Sequence, residues 1–196
     1  MNGTETETSE DLLTRALAGD AAAFGMLVRM QQRSVYSLAL RMLSDRHEAE
    51  DLAQEVFLGL YRNLSSVQSP AHLSFWLRKV TLNRAIDRLR RGPRQTVSLE
   101  DASSLVSDAT EQRDPLLQRR LRALLAQLPP APRAVVLLRY QEDLNPHEIA
   151  QTLNMSINTV KSHLKRSLAT LRERIGDGAN PGAGKPELGC LPDEAG

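Results

Sequence analysis

The apolar residues of this 196-residue chain recur every three or four positions, and the alternation of Val, Ile, Thr and aromatic residues that marks strands is missing. That regularity confines the chain to an all-α fold, in which each amphipathic stripe is buried against another helix. Leu, Ala, Arg, Glu and Gln, all good helix formers, dominate the pattern. Ser9 is expected to cap a short first helix that Gly19 ends. A long helix follows from about Ala21 to Leu43, and Ser44 or Asp45 caps the next one. That third helix carries Ala49, Leu52, Ala53, Val56, Phe57, Leu60, Tyr61 and Leu64 on one side. The stretch "SSVQSPAH" reads as a loop by its Ser and Pro content, and a further helix runs from roughly Leu73 to Arg91, where "GPR" stops it.

From Pro93 to Asp114 the composition shifts to small polar residues with five acids (Glu100, Asp101, Asp108, Glu111 and Asp114), the signature of a flexible acidic linker. Helical periodicity resumes over 115–175, and the Gly- and Pro-rich stretch 176–196 is expected to be a disordered tail. Two small helical domains, 9–92 and 115–175, are therefore predicted on either side of a tether.

Bulk properties narrow the function by exclusion. The formal net charge is +1, so a nucleic-acid role has to come from local clustering of charge. A single cysteine, Cys190, allows no disulfide framework, and none of the four histidines has metal-ligand spacing, so no metal site and no cofactor are expected. The acidic start "MNGTETETSEDLL" lacks a secretory pattern, and "AAAFGMLV" is too short to span a bilayer, which predicts a cytoplasmic protein with no membrane insertion.

Three stretches carry chemistry. In "LNPHEIAQTLNMSINTVKSHLKR", Asn145 is an N-cap, Pro146 takes the first helical position and Glu148 completes a capping box. Ala150 allows close helix approach, Asn154 tolerates the left-handed turn, and Ser156 caps a second helix whose apolar seam is Ile157, Val160 and Leu164. Asn158, Thr159, Lys161, Ser162, His163, Lys165 and Arg166 are left for solvent or ligand, in the arrangement of a helix-turn-helix whose second helix enters a major groove. A helical hairpin with a merely solvated basic face is the plainer alternative. In "HEAEDLAQEVFLGLYRNL", Glu48, Asp51 and Glu55 form an acidic stripe with Gln54 beside it, which on its own says little. In "SFWLRKVTLNRAIDRLRRGPR", Arg84, Arg88 and Arg91 share a face suited to phosphates or to a solvated helix end, and Asn83 lies near the apolar side.

Together, "EAEDLAQEVFLGLYR", "FWL…VTLNRAIDRLRR" and "LPPAPRAVVLLRYQEDLNPHEIAQTLNMSINTVKSHLKRSLATLRERI" resemble the sigma-70-type RNA polymerase sigma factors, specifically the compact extracytoplasmic function (ECF) group that keeps domains 2 and 4. The resemblance covers about residues 10–175. It implies that 9–92 is sigma domain 2 and 115–175 is sigma domain 4. It implies that Asp51, Gln54 and Glu55 meet the clamp helices of the core polymerase β′ subunit, with the β flap as a further contact. It further implies −10 DNA contacts by Asn83, Arg84, Arg88 and Arg91, and −35 contacts by Asn158, Thr159, Lys161, Ser162, Lys165 and Arg166. Trp76 matches a family aromatic but is in register with Val80, which favours a core position. Core RNA polymerase, promoter DNA and an anti-sigma factor are the implied partners. Asn154 stands where the family usually has glycine, and His163 where a basic residue is common.

Other classes fit less well. A two-component-type regulator needs an α/β receiver, and no strand pattern precedes residue 115. An enzyme needs a nucleophile elbow, P-loop, carboxylate pair or metal cluster, and none is visible. A protein that merely sequesters a partner leaves the two basic faces unused.

Overall fold

Helix caps set the element boundaries. The structure, a computed structural model, describes residues 8–92 and 115–177, without the side chains of 115–119 and 176–177; the expected tether and all but the start of the expected tail lie outside them. Eight α-helices and no strand occur among the described residues: α1 (Ser9–Leu17), α2 (Ala21–Leu43), α3 (Arg46–Arg62), α4 (Pro70–Arg91), α5 (Pro115–Ala126), α6 (Pro130–Tyr140), α7 (Pro146–Leu153) and α8 (Ile157–Asp177).

Thr8, not Ser9, caps α1, because Asp11 three residues on completes a capping box with it; the Thr8 hydroxyl accepts from the Asp11 N–H at 3.2 Å. Asp20 caps α2 by accepting from the Ala22 and Ala23 amides. Ser44 adopts a left-handed conformation (φ 60°) that ends α2, and Asp45 then caps α3. Helix α4 starts three residues before the expected Leu73. Ser69 accepts from the His72 N–H at 3.1 Å and Pro70 fills the first helical position, so the Ser-Pro pair read as loop is in fact a start signal.

Helix α2 is the hub of the first lobe, packing against α1, α3 and α4. Its buried stripe is Ala23, Leu27, Val35, Leu38, Ala39 and Met42, facing Ala49, Leu52, Val56 and Leu60 of α3 and Leu73, Leu77 and Leu82 of α4. Trp76 and Val80 are partly buried against this core, as their register predicted. In the second lobe α6 is central: residues 133–138 are buried in an unbroken run, and α8 and α7 pack around it. The turn between α7 and α8 forms as read, with Asn154 left-handed at φ 52° and ψ 49°, and Asn145 capping α7 in a box with Glu148.

The two lobes touch. Helices α6 and α7 pack on α4, and α5 and α6 reach α2. At this seam Arg133, 5% exposed, extends from α6 and donates to the Met42 carbonyl of α2 at 2.5 Å. It also donates to the carbonyls of Ala126 and Leu128. No carboxylate is hydrogen-bonded to it among the described residues, and burial pushes its pKa below the usual guanidinium range. Carbonyl dipoles at the C-terminal end of α2 supply the compensation. Arg78 of α4 and Glu142, just after α6, pair across the same seam at 3.6 Å.

Replacing Arg133 by Met leaves two buried carbonyls and one part-buried carbonyl short of a donor, while relieving the cost of burying a charge. A net loss of roughly 1–3 kcal/mol is expected, measured by urea unfolding of the full chain.

Candidate functional site

Helix α3 presents two unlike faces. Ala49, Leu52, Val56 and Leu60 are buried, whereas the neighbouring apolar strip turns outward: Leu58 is 57% and Tyr61 66% exposed. Tyr61 meets Phe24 edge-on, with ring centroids 5.3 Å apart. Beside this strip α2 and α3 enclose a groove of about 770 Å³, with Val28 and Tyr36 on one wall and Ala53, Gln54, Phe57 and Leu58 on the other. The eight apolar residues read on one side of the third helix divide: Ala49, Leu52, Val56, Leu60 and Leu64 are buried, Ala53 and Phe57 are half-buried, and Tyr61 is exposed. The reason is width: eight residues occupy more of a helix circumference than one contact covers.

Of the acidic stripe, Asp51 and Gln54 are exposed, and Gln54 lines the groove. Glu55 does not line it. Its carboxylate binds Arg88 of α4 at 2.7 Å and Arg84 at 3.3 Å. Glu48 takes the other side of Arg88, with a carboxylate oxygen at 2.7 Å and its main-chain carbonyl at 3.0 Å. A residue set predicted for polymerase and a set predicted for DNA therefore share one ion-pair network. Arg91, one turn beyond Arg88, is exposed and has no carboxylate partner among the described residues. Asn83 is exposed as well, between the buried Leu82 and Ala85 in sequence.

The second lobe carries a different surface. Ser156 accepts from the Thr159 N–H at 3.1 Å and so caps α8 as expected. Val160, Ser167 and Leu171 are buried, which leaves Asn158, Thr159, Lys161, Ser162, Lys165 and Arg166 all exposed on the outer side; His163 is half-buried. The first turn of α8 contains no acid, so its free N–H groups and the basic side chains one to two turns on all favour an anion. Among the described residues no group of three His, Cys, Asp or Glu side chains is placed to hold a metal ion, and no helix is long and apolar enough to cross a membrane.

Comparison with known proteins decides the family. Residues 27–95 match the family described as Sigma-70 region 2, and residues 118–171 match Sigma-70, region 4. The ECF RNA polymerase sigma factor SigW of Bacillus subtilis is 33% identical over 172 residues, covering 81% of this chain and 92% of that protein. The chain belongs to the ECF group of sigma-70-type sigma factors. The ECF sigma factor SigM of Mycobacterium tuberculosis is 30% identical over 177 residues, covering 90% and 89% of the two chains. In fold, this sigma factor is similar to CnrH as solved in complex with the cytosolic domain of CnrY, with a TM-score of 0.63 at 21% identity over 87% of this chain and 99% of that one. As a member of the group, the sigma factor is a transcription initiation factor that directs promoter-specific transcription, not an enzyme.

Sequence reasoning missed the α3–α4 network, yet the signal was there. Glu48 and Glu55 are seven apart and Arg84 and Arg88 four apart, two complementary stripes on consecutive helices that pack together. Arg133 carried no such signal, since nothing in "PPAPRAVVLLRY" says which carbonyls will surround it.

The network makes Arg88 a fastener between α3 and α4. Arg88→Met is expected to cost about 1–2 kcal/mol of stability in urea unfolding, whereas Arg91→Met stays within roughly 0.5 kcal/mol.

Proposed function

We propose that residues 9–92 hold core RNA polymerase and capture the melted −10 element, while 115–175 read the −35 element. The exposed polar and basic outer face of a capped helix-turn-helix carries the second assignment. A helix with this face presents its N-terminal residues to base edges in the major groove and its lysines and arginines to the backbone. In our reading Asn158, Thr159 and Ser162 approach bases, and Lys161, Lys165 and Arg166 meet phosphates. One such module makes few contacts, so tethering to a second reader raises its effective concentration at the promoter.

For the first lobe, the apolar strip of α3 and the groove beside it support docking of the polymerase clamp helices, with Asp51 and Gln54 as polar contacts at its edge. Exposed Leu58 and Tyr61 gain when a partner covers them, since a fully buried side chain of this size contributes about 1.5–3 kcal/mol. Asn83 and Arg91 stand on the exposed side of α4, where an extruded base and its flanking phosphate would lie. The β flap is assigned to the second lobe by family likeness. An anti-sigma partner is supported by solved structures of similar fold, which include a sigma factor bound to the anti-sigma factor NepR of Bartonella quintana. The cytoplasm, where polymerase works, is the assigned location.

Two measurements test this division. Leu58→Asp is expected to weaken binding to core polymerase at least about tenfold with the helix content unchanged, since one lost anchor is worth more than roughly 1.4 kcal/mol. Unchanged affinity would move the docking face off α3. Lys165→Ala with Arg166→Ala is expected to weaken holoenzyme binding to −35 duplex and lower the salt slope by about 0.9 per lost phosphate contact. An unaltered slope means both side chains face solvent.

A further inference from the structure

Glu55 holds two arginines at once, one on each carboxylate oxygen: Arg88 on Oε1 at 2.7 Å and Arg84 on Oε2 at 3.3 Å. With Glu48 included, two arginines face two glutamates, so this part of α4 offers a phosphate little net charge. The members are unequally committed. Arg88 is 19% exposed and encircled by acceptors, whereas Arg84 and Glu55 are 41% and 52% exposed, within reach of solvent and ligands. Gly59 leaves the surface of α3 bare beneath Arg84: a Cβ there would meet its Nη2 at 3.4 Å. The guanidinium of Arg84 thus lies back over α3 instead of standing out from α4.

We propose that Glu55 is an internal substitute for a DNA phosphate. In the free chain one of its carboxylate oxygens holds one donor of Arg84, Nη1, and Arg84 becomes available to the strand when Glu55 is engaged elsewhere or displaced. This rests on the reading that α4 meets the DNA backbone. Carboxylate and phosphate oxygens suit the same planar donor pair, so the two compete for it. Arg88, fixed by Glu48 as well, stays as the fastener. Polymerase that draws on Glu55 strengthens the hold on the strand, and by reciprocity the strand strengthens the hold on polymerase by the same factor. An exposed ion pair is weak, which sets the effect at a few-fold, enough to bias and too little to lock.

The test is fluorescence anisotropy of the full chain, without polymerase, titrated onto a labelled single-stranded oligonucleotide over a range of salt. Glu55→Gln keeps the side-chain size and removes the charge, and Glu48 still holds Arg88. About 2- to 5-fold tighter binding is expected at low salt, on the scale of one such pair, with the log–log salt slope steeper by roughly 0.7, one phosphate contact on a single strand. Adding Arg84→Gln should abolish the gain. A gain that survives in the double variant is a general loss of negative charge and overturns the proposal. Wild-type behaviour of Glu55→Gln also overturns it, and leaves the reading of α4 standing if Arg84→Gln weakens binding in that background. If Arg84→Gln is silent in both backgrounds, the reading of α4 fails and the proposal with it.

Discussion

The buried stripe of α2 is the surface on which the first lobe is assembled. Ala23 and Ala39 let neighbouring helices come close, and Leu27, Val35, Leu38 and Met42 fill the space between them. Truncating any one of the larger side chains to alanine would cost roughly 2–5 kcal/mol, a large share of the stability of a domain this size. Because α3 and α4 both lean on this stripe, their outer sides are brought edge to edge, and the Glu48–Arg88–Glu55–Arg84 network follows from that placement. The same helix ends where Arg133 needs an acceptor, so its last turn also joins the second lobe.

Arginine serves three distinct ends in this chain, and burial decides among them. Arg133, enclosed and facing carbonyls, is a structural cation. Arg88, one-fifth exposed and flanked by carboxylates, ties two helices together. Arg91 and Arg166, open to solvent, are free to meet an external anion. A count of charges along α4 treats all of its arginines alike, which is why a formal net charge of +1 is compatible with faces that attract DNA.

Local signals were legible wherever one residue dictates one backbone conformation. Asn145, Pro146 and Glu148 announced α7, and Asn154 announced the left-handed turn, because caps and turns depend on neighbours within four positions. The start of α4 was as local but was masked by the loop-like company of Ser69 and Pro70. Most of the core followed from periodicity, yet periodicity overestimated it on α3, where Tyr61 faces outward. The contact between lobes was not legible at all. It depends on Arg133 finding the Met42 carbonyl 91 positions away, and no spacing rule reaches that far. For the proposed functional surfaces, the motif blocks singled out α3, α4 and α8, while the pairing of Glu55 with Arg84 required seeing two helices side by side.

Arg133 grips oriented dipoles, and the leucines and valines around it carry no charge. Apart from the partly exposed Arg78–Glu142 pair, ionic strength has little purchase on that junction. The outward-facing cations are the opposite case, since mobile ions compete directly for their ligands. An osmotic upshift in the cell would therefore slacken the hold on nucleic acid well before it prised the halves of the molecule apart.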